Sequence, residues 1–346
     1  MAPTFFFHNS IRPYMEGRWA CRVEEPMRLL SERYGARYEI ATGAIRFEAV
    51  NGHQHVFLRY RAVSAPPREF LRTLVDRRVL FLLDIDDRPQ NWKEFAADNH
   101  LGVKACHAIQ TSSEEIARVL RPFNPEVAVF GNEIGELPPL RDGPAGKTTT
   151  LFFGAFLRQG DWPEIVAPLN EALRRHGAEL AVRVVNDRRF FEALETPNKQ
   201  FWPLVPHATY MEALRGCDIA LLPLKETPNN LCKSDLKFLE CAACGVVVLA
   251  SPTIYGNSVI DGVTGCLYET PEQFAVKLER LIRDRASRRT IAEAAYAYVR
   301  EKRLLRERIH ERHDWYVDLA RRYDALTRAL AGRLPRTKGR PAPNAR

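Results

Sequence analysis

One stretch limits the fold more than any other. Asp218 to Pro223 (DIALLP) is an apolar run of strand length ending in proline, and residues 224–230 (LKETPNN) are a polar loop. Lys233 to Gly245 (KSDLKFLECAACG) then has the apolar spacing of a short helix, and Val246 to Ser251 (VVVLAS) is a second buried run. Helical spacing between two apolar runs predicts a βα unit with a helix over Asp235 to Cys244 that Gly245 stops. Ser234 is a plausible N-cap, and Lys233 and Lys237 stand at the predicted helix start. Free N–H groups at a helix start, together with added cations, suit an anion. Lys237 and Glu240 are three residues apart and share a face. Alone, that pair reads equally well as a surface ion pair on a helix packed by Leu236, Phe238 and Leu239.

The same alternation runs through the rest of the chain. Thr4 to Phe7, Arg37 to Ile40, Ile45 to Ala49, His55 to Tyr60, Arg78 to Asp84, Ala105 to Gln110 and Val127 to Phe130 read as strands. Helical segments are expected over Glu25 to Arg33, Arg68 to Asp76, Asn91 to Asn99 and Glu114 to Leu120. Residues 133–149 are rich in Pro and Gly, and they read as a linker. Alternation resumes at Thr150 to Phe153 and continues through Glu179 to Val185, Phe201 to Val205 and the opening unit. Helical segments at Pro271 to Asp284, Ala286 to Glu301 and Leu304 to Leu330 close the pattern. Strands alternating with helices predict an α/β fold with mainly parallel sheets covered on both faces. Two such domains are expected, 1–132 and 150–331 with its closing helices, facing across a cleft. Whether the last helices cross back to the first domain is left open.

A length of 346 residues suits two domains. No apolar run approaches the ~20 residues of a membrane span. The start, MAPTFFFHNSIRPY, lacks a basic leader, so a cytoplasmic location is expected. The net charge is +8, of which residues 332–346 contribute five basic side chains and no acid. That segment is expected to be a disordered basic tail, either a plain solvated terminus or a weak contact with anionic lipid at the inner face of the membrane. Seven cysteines without a secretion signal read as free thiols, and Cys241 and Cys244, a CxxC inside a helix, read as small buried residues.

On Pro223, Lys237, Glu240, Ala242, Ala243, Gly245 and Val246 to Val248, the opening unit resembles the C-terminal domain of group 1 nucleotide-sugar glycosyltransferases of the GT-B fold. Asp261 to Gly265 (DGVTG) resembles that family's turn after the next strand, and the similarity runs from about Thr149 to Glu269. The resemblance implies two Rossmann-like domains and transfer of a sugar from a nucleoside-diphosphate sugar to an acceptor hydroxyl. It implies retention at the anomeric carbon, and preorganised cations can stabilise the departing diphosphate without a metal or other cofactor. Glu240 would hold the donor ribose, and Lys233 and Lys237, beside Ser234, the diphosphate. Gly154 would let the backbone approach the donor, and Arg158 would add a cation. The expected partners are a nucleotide sugar and a glycan, lipid-linked or protein acceptor in surface glycan or glycoconjugate synthesis, with no nucleic acid. Three positions depart from the family: Ala155 and Asp161 replace an Arg and a Lys after the glycine, and Cys232 replaces a second Glu.

Several other motifs compete for a role. Asp84 and Asp86, in LLDIDD at a strand end, form a DxD that resembles the metal-binding pair of GT-A glycosyltransferases. They read also as solvated acids, or as acceptor contacts if the GT-B resemblance holds. His107 reads as a hydrogen-bonded structural histidine or as an acid/base group near the cleft. Arg12, Arg18 and Arg22 would meet an anionic acceptor or pair with Glu16, Glu24 and Glu25. His53 and His55 share a strand face but lack an evident third metal ligand. GPAGKTTT, residues 143–150, imitates a Walker A loop, yet a strand follows it where a helix should. Two alternatives to the transferase therefore stand: a non-catalytic nucleotide-sugar binder on the same scaffold, and a metal-dependent enzyme using Asp84 and Asp86.

Overall fold

The protein is described here by a computed structural model, which covers residues 3–10, 20–41, 53–140, 148–155, 158 and 160–335. These fall into two compact units, one drawn from Met1–Tyr14, Met27–Phe130 and His310–Arg346, the other from Met15–Pro26 and Gly131–Ile309. The expected strand over Ile45 to Ala49, and residues 336–346 of the expected tail, lie outside the described residues.

The first unit holds a six-stranded sheet of β1 (Thr4–Ser10), β2 (Arg37–Ala41), β3 (His53–Tyr60), β4 (Leu80–Ile85), β5 (Ala108–Thr111) and β6 (Val127–Val129), in the order β2-β1-β3-β4-β5-β6. All neighbours are parallel. Every residue of β4 is buried, as a central strand covered on both faces requires. The expected helix over Asn91 to Asn99 does not form. Short 3-10 turns at Pro89–Asn91 and Lys93–Phe95 take its place, and Asp98, Asn99 and His100 adopt φ of 49°, 57° and 60°. Consecutive left-handed residues cannot continue a right-handed helix.

Residues from His310 onward belong to this first unit, although the sequence pattern groups them with 150–331. The packing explains it. The Tyr316 hydroxyl donates to Gln110 Oε1 (2.6 Å), and its ring meets those of Phe5 and Phe7 edge-on. Arg322 grips both oxygens of Glu126 at 2.8 Å. The last helix runs Tyr323–Arg333, two residues into the expected tail, because Arg333 donates to the carbonyls of Lys104 (3.1 Å) and Cys106 (2.7 Å).

The second unit holds β7 (Thr149–Gly154), β8 (Leu180–Val185), β9 (Lys199–Trp202), β10 (Ile219–Leu222), β11 (Val247–Ala250) and β12 (Cys266–Leu267), in the order β12-β11-β10-β7-β8-β9. Here too all neighbours are parallel. Alternate residues serve opposite faces: Phe152, Ala220 and Val248 enter one core, and Leu151, Phe153, Ile219 and Leu249 the other. The chain builds outward from β7 to β9, then returns to the other side with β10. So β7 and β10 are neighbours at the point where strand order reverses, the place where open α/β sheets bind ligands beyond their strand C-termini. The described part of the expected linker is tied to this unit. Ile134 bridges Leu304, and the Tyr296 hydroxyl donates to the Pro138 carbonyl (2.8 Å).

Candidate functional site

The opening sequence unit delivers its functional groups to that reversal point. The helix forms over Leu236–Ala243, and its cap is Asp235, not Ser234. The Ser234 hydroxyl instead accepts from Asn132 Nδ2 (2.8 Å). The Asp235 carboxylate is held by Arg303 in two bonds of 2.6 and 3.1 Å, and Arg303 also meets Glu133 (2.8 Å). The acid at the helix start is thereby committed to an ion-pair cluster. Lys233 precedes the helix, half-buried, with its backbone N–H donated to Asn230 O (3.0 Å).

Lys237 is the second residue of the helix. Its ammonium reaches the end of β7, donating to the Gly154 carbonyl (2.6 Å) and lying 3.3 Å from the Tyr210 hydroxyl. It also lies 5.1 Å from the Tyr210 ring centroid, within cation–π range. Loss of water around it pulls the Lys237 ammonium below the ordinary lysine range; Glu240 opposes that effect and Arg158 adds to it. Two cations and a carboxylate therefore share one electrostatic neighbourhood. Gly154 is needed for packing: a Cβ there would sit 2.7 Å from atoms of both the Phe152 and Tyr210 rings.

Arg158 is steered by two side chains. Its Nη1 lies 3.4 Å from Asp161 Oδ2 and 3.4 Å from Asn230 Oδ1, and Asn230 Nδ2 donates to Asp161 Oδ1 (2.8 Å). Asp161, which stands where the resembled family carries a lysine, thus anchors a neighbouring cation. Cys232, at the place of the family's second glutamate, is buried. Glu240 is buried as well, and His207 Nε2 lies 2.8 Å from its Oε1.

The structure places the Gly154 carbonyl, Arg158 and Glu240 around the Lys237 ammonium. It adds His207, Tyr210, Asn230 and Asp161, whose roles depend on contacts between distant segments. Pro206 before a helical run marks where His207 sits, but nothing local marks what it touches.

The candidates assigned to the acceptor side fare differently. Asp84 is fully buried, and its Oδ2 accepts from Gln110 Nε2 (2.5 Å), the same Gln110 that Tyr316 holds. It is an interior hydrogen-bonding group and not a surface contact for an acceptor. Asp86 accepts from the Tyr60 hydroxyl (2.6 Å) and pairs with Arg61 (3.1 Å). Both carboxylates of the DxD are thus engaged by protein donors, which disfavours a metal-binding pair. His107 is buried: its Nδ1 accepts from the Phe81 N–H (2.9 Å), its Nε2 lies 3.3 Å from the Thr327 hydroxyl, and burial depresses it to about 4. That is the structural histidine, not an acid/base group. Arg22 is buried in the second unit, 3.4 Å from Asn132 Oδ1, and so is not available to an acceptor. Arg12 and Arg18 lie outside the described residues.

His55 Nδ1 lies 2.9 Å from His8 Nε2, whose Nδ1 is 2.6 Å from Glu39 Oε1. Among the described residues no group of three or more His, Cys, Asp or Glu side chains is arranged to hold a metal. Cys241 and Cys244 are buried free thiols, and no described helix is long and apolar enough to cross a membrane.

Residues 158–314 match a family model described as "Glycosyl transferase-like". No curated protein matches the chain significantly. Among solved structures, a glycosyltransferase from Rickettsia africae is 13% identical with a TM-score of 0.62, over 94% of this chain and 99% of that one. Anabaena HepE, in complex with UDP and glucose, is 12% identical with a TM-score of 0.63, over 91% and 99%. WaaG, a glycosyltransferase involved in lipopolysaccharide biosynthesis, is 13% identical with a TM-score of 0.57, over 89% and 98%. Two parallel sheets in this order, with that likeness across nearly the whole length, make the fold GT-B. The chain therefore has the GT-B fold, and its residues 158–314 are similar to the glycosyl transferase-like family.

Proposed function

We propose that the chain transfers a sugar from a nucleoside-diphosphate sugar to an acceptor hydroxyl. In this reading Lys237 and Arg158, with Lys233 at the preceding turn, hold the donor diphosphate, and Glu240 holds the ribose. One observation carries it. The Lys237 ammonium, Arg158 and the Glu240 carboxylate converge where β7 and β10 end, at the reversal point of the strand order.

The chemistry fits the charges. Breaking the sugar–phosphate bond leaves negative charge on the diphosphate and positive character on the sugar. Fixed cations aimed at the leaving oxygens stabilise the first without reorganising. Tyr210 and Gly154 hold Lys237 in place, and Asp161 and Asn230 hold Arg158, so the cations are preorganised before donor arrives. We further propose retention at the anomeric carbon, independence from divalent metal, and a cytoplasmic role in glycan or glycoconjugate synthesis. HepE binds UDP-glucose, which makes a uridine donor the first to try.

A thermal-shift panel of UDP-, GDP-, dTDP-, ADP- and CMP-sugars tests the donor site, since a ligand of the folded state raises apparent stability by mass action. A selective shift that Lys237→Met removes is the expected result. No shift with any member overturns the reading. A shift without sugar transfer or donor hydrolysis across an acceptor panel would favour the non-catalytic binder.

A further inference from the structure

Glu240 is 6% exposed, and a buried carboxylate is costly without a hydrogen-bond donor. Its side-chain donor is His207, the first residue of the helix His207–Arg215, with Nε2 lying 2.8 Å from Oε1. The imidazole is itself 54% exposed, so one ring nitrogen faces the carboxylate while the ring remains open to solvent. Pro206 enters the helix at φ −55° and ψ 153°, which sets the direction in which His207 leaves the backbone. An exposed histidine clamped on a buried acid beside the diphosphate cations is unusual as mere packing. The bond restrains one oxygen of a carboxylate that is itself buried.

We propose that His207 is a positioning residue for donor binding, holding one oxygen of Glu240 so that the other is presented to a ribose hydroxyl. The inference rests on the assignment of Glu240 to the donor ribose made above. The clamp is pH-dependent. The hydrogen bond to Glu240 raises the His207 imidazole above its ordinary range, partial burial opposes this, the charges of Glu240 and Glu25 add to it and that of Lys237 subtracts. Tyr210, on the same helix, stacks near the ring at 6.1 Å. As an imidazolium, His207 makes a charge-assisted bond to Glu240; as pH rises through its raised pKa, that bond weakens to a neutral one.

The test uses UDP-glucose, or GDP-mannose if the uridine compound does not bind. Neither diphosphate diester titrates near neutrality. Calorimetric affinity of the full chain is measured between acid and alkaline pH, for wild type, His207→Ala and His207→Gln. It is repeated with donor analogues lacking the ribose 2′- or 3′-hydroxyl. Wild-type affinity is expected to fall by about fivefold across the His207 transition, the change one ordinary hydrogen bond makes. His207→Gln, which keeps a neutral donor, should show no such pH dependence. His207→Ala should weaken the parent donor by about the same factor and leave one deoxy analogue unaffected.

Equal or tighter binding by His207→Ala overturns the inference, because His207 would then compete with ribose. So does an equal loss with every analogue, or a pH dependence that persists in His207→Gln. Unchanged thermal unfolding of both variants separates these outcomes from misfolding. If wild type binds donor and Lys237→Met abolishes it while the His207 arms fail, only this inference falls. If no nucleotide sugar binds, the donor-site reading falls and takes this inference with it.

Discussion

The ammonium of Lys237 lies 2.6 Å from the carbonyl oxygen of Gly154, joining the helix after β10 to the end of β7 across 83 residues of chain. This bond places a cation at the strand-order reversal. Replacing Lys237 by Met keeps the aliphatic stem and removes the charge. Turnover should fall by about a hundred- to a thousand-fold, as removal of one preorganised stabilising group does elsewhere. Steady-state transfer assays, with circular dichroism to confirm the fold, check this.

Gly154→Ala should destabilise the second unit by about 1–3 kcal/mol, the usual cost of forcing an extra carbon into a packed site. The added Cβ would sit 2.7 Å from both the Phe152 and Tyr210 rings. Because Tyr210 would have to move, the Lys237 bond should loosen too. Denaturant unfolding measures the first effect and donor affinity the second.

Arg303 pairs with Asp235 and Glu133, and the three side chains are 12%, 16% and 5% exposed. Arg303→Ala removes both guanidinium bonds to Asp235 in a largely dry environment, leaves Glu133 with Arg308 (3.1 Å), and should cost about 3 kcal/mol. The double variant Asp235→Ala with Arg303→Ala should recover part of that loss. A double-mutant cycle in denaturant reads the coupling.

His107 is held neutral by burial, with its pKa lowered from 6.5 to about 4. The unfolded chain binds the proton more readily than the folded one, so stability contributed by neutral His107 is complete above about pH 6.5. It is lost as pH falls toward 4, by about 3 kcal/mol in all. In His107→Gln this part of the acid slope should vanish. Chemical unfolding at a series of pH values between neutrality and pH 4 checks it.

Chelation should leave sugar transfer within about twofold of the untreated rate, since fixed protein cations serve the leaving group in this reading. Asp84 is tied to Gln110, and Asp86 to Tyr60 and Arg61, so neither carboxylate is set aside for a metal. Transfer assayed after treatment with EDTA and dialysis decides the matter; loss restored by a divalent ion would reinstate the DxD pair.

Much of the parallel architecture is written in local pattern. Each expected strand from Thr4 to Ala250 that falls on described residues appears within a few residues of its place, because a buried parallel strand needs a nearly continuous apolar run. The two-residue strand Cys266–Leu267 carries no such run and was not legible. Nor was the break after Trp92, where residues of ordinary helical spacing give way to a left-handed turn. Within the site, the three-residue spacing of Lys237 and Glu240 puts them on one face, but only the family resemblance singles them out from a surface ion pair. His207 and Asn230 were not legible, since each acts on a partner at least 33 residues away.

What the amino-acid order settles on its own is the alternation of strands and helices and the lysines at the helix after β10. These follow from periodicity and turn chemistry, which act over a few residues. Tertiary structure decides the rest. It turns Asp161 into an anchor for Arg158, sets His207 on Glu240, hides Asp84 and His107 in the interior, and gives the helices after His310 to the first unit. In each case the deciding energy is desolvation of a polar group set against a partner brought near only by folding, and no local pattern encodes that balance.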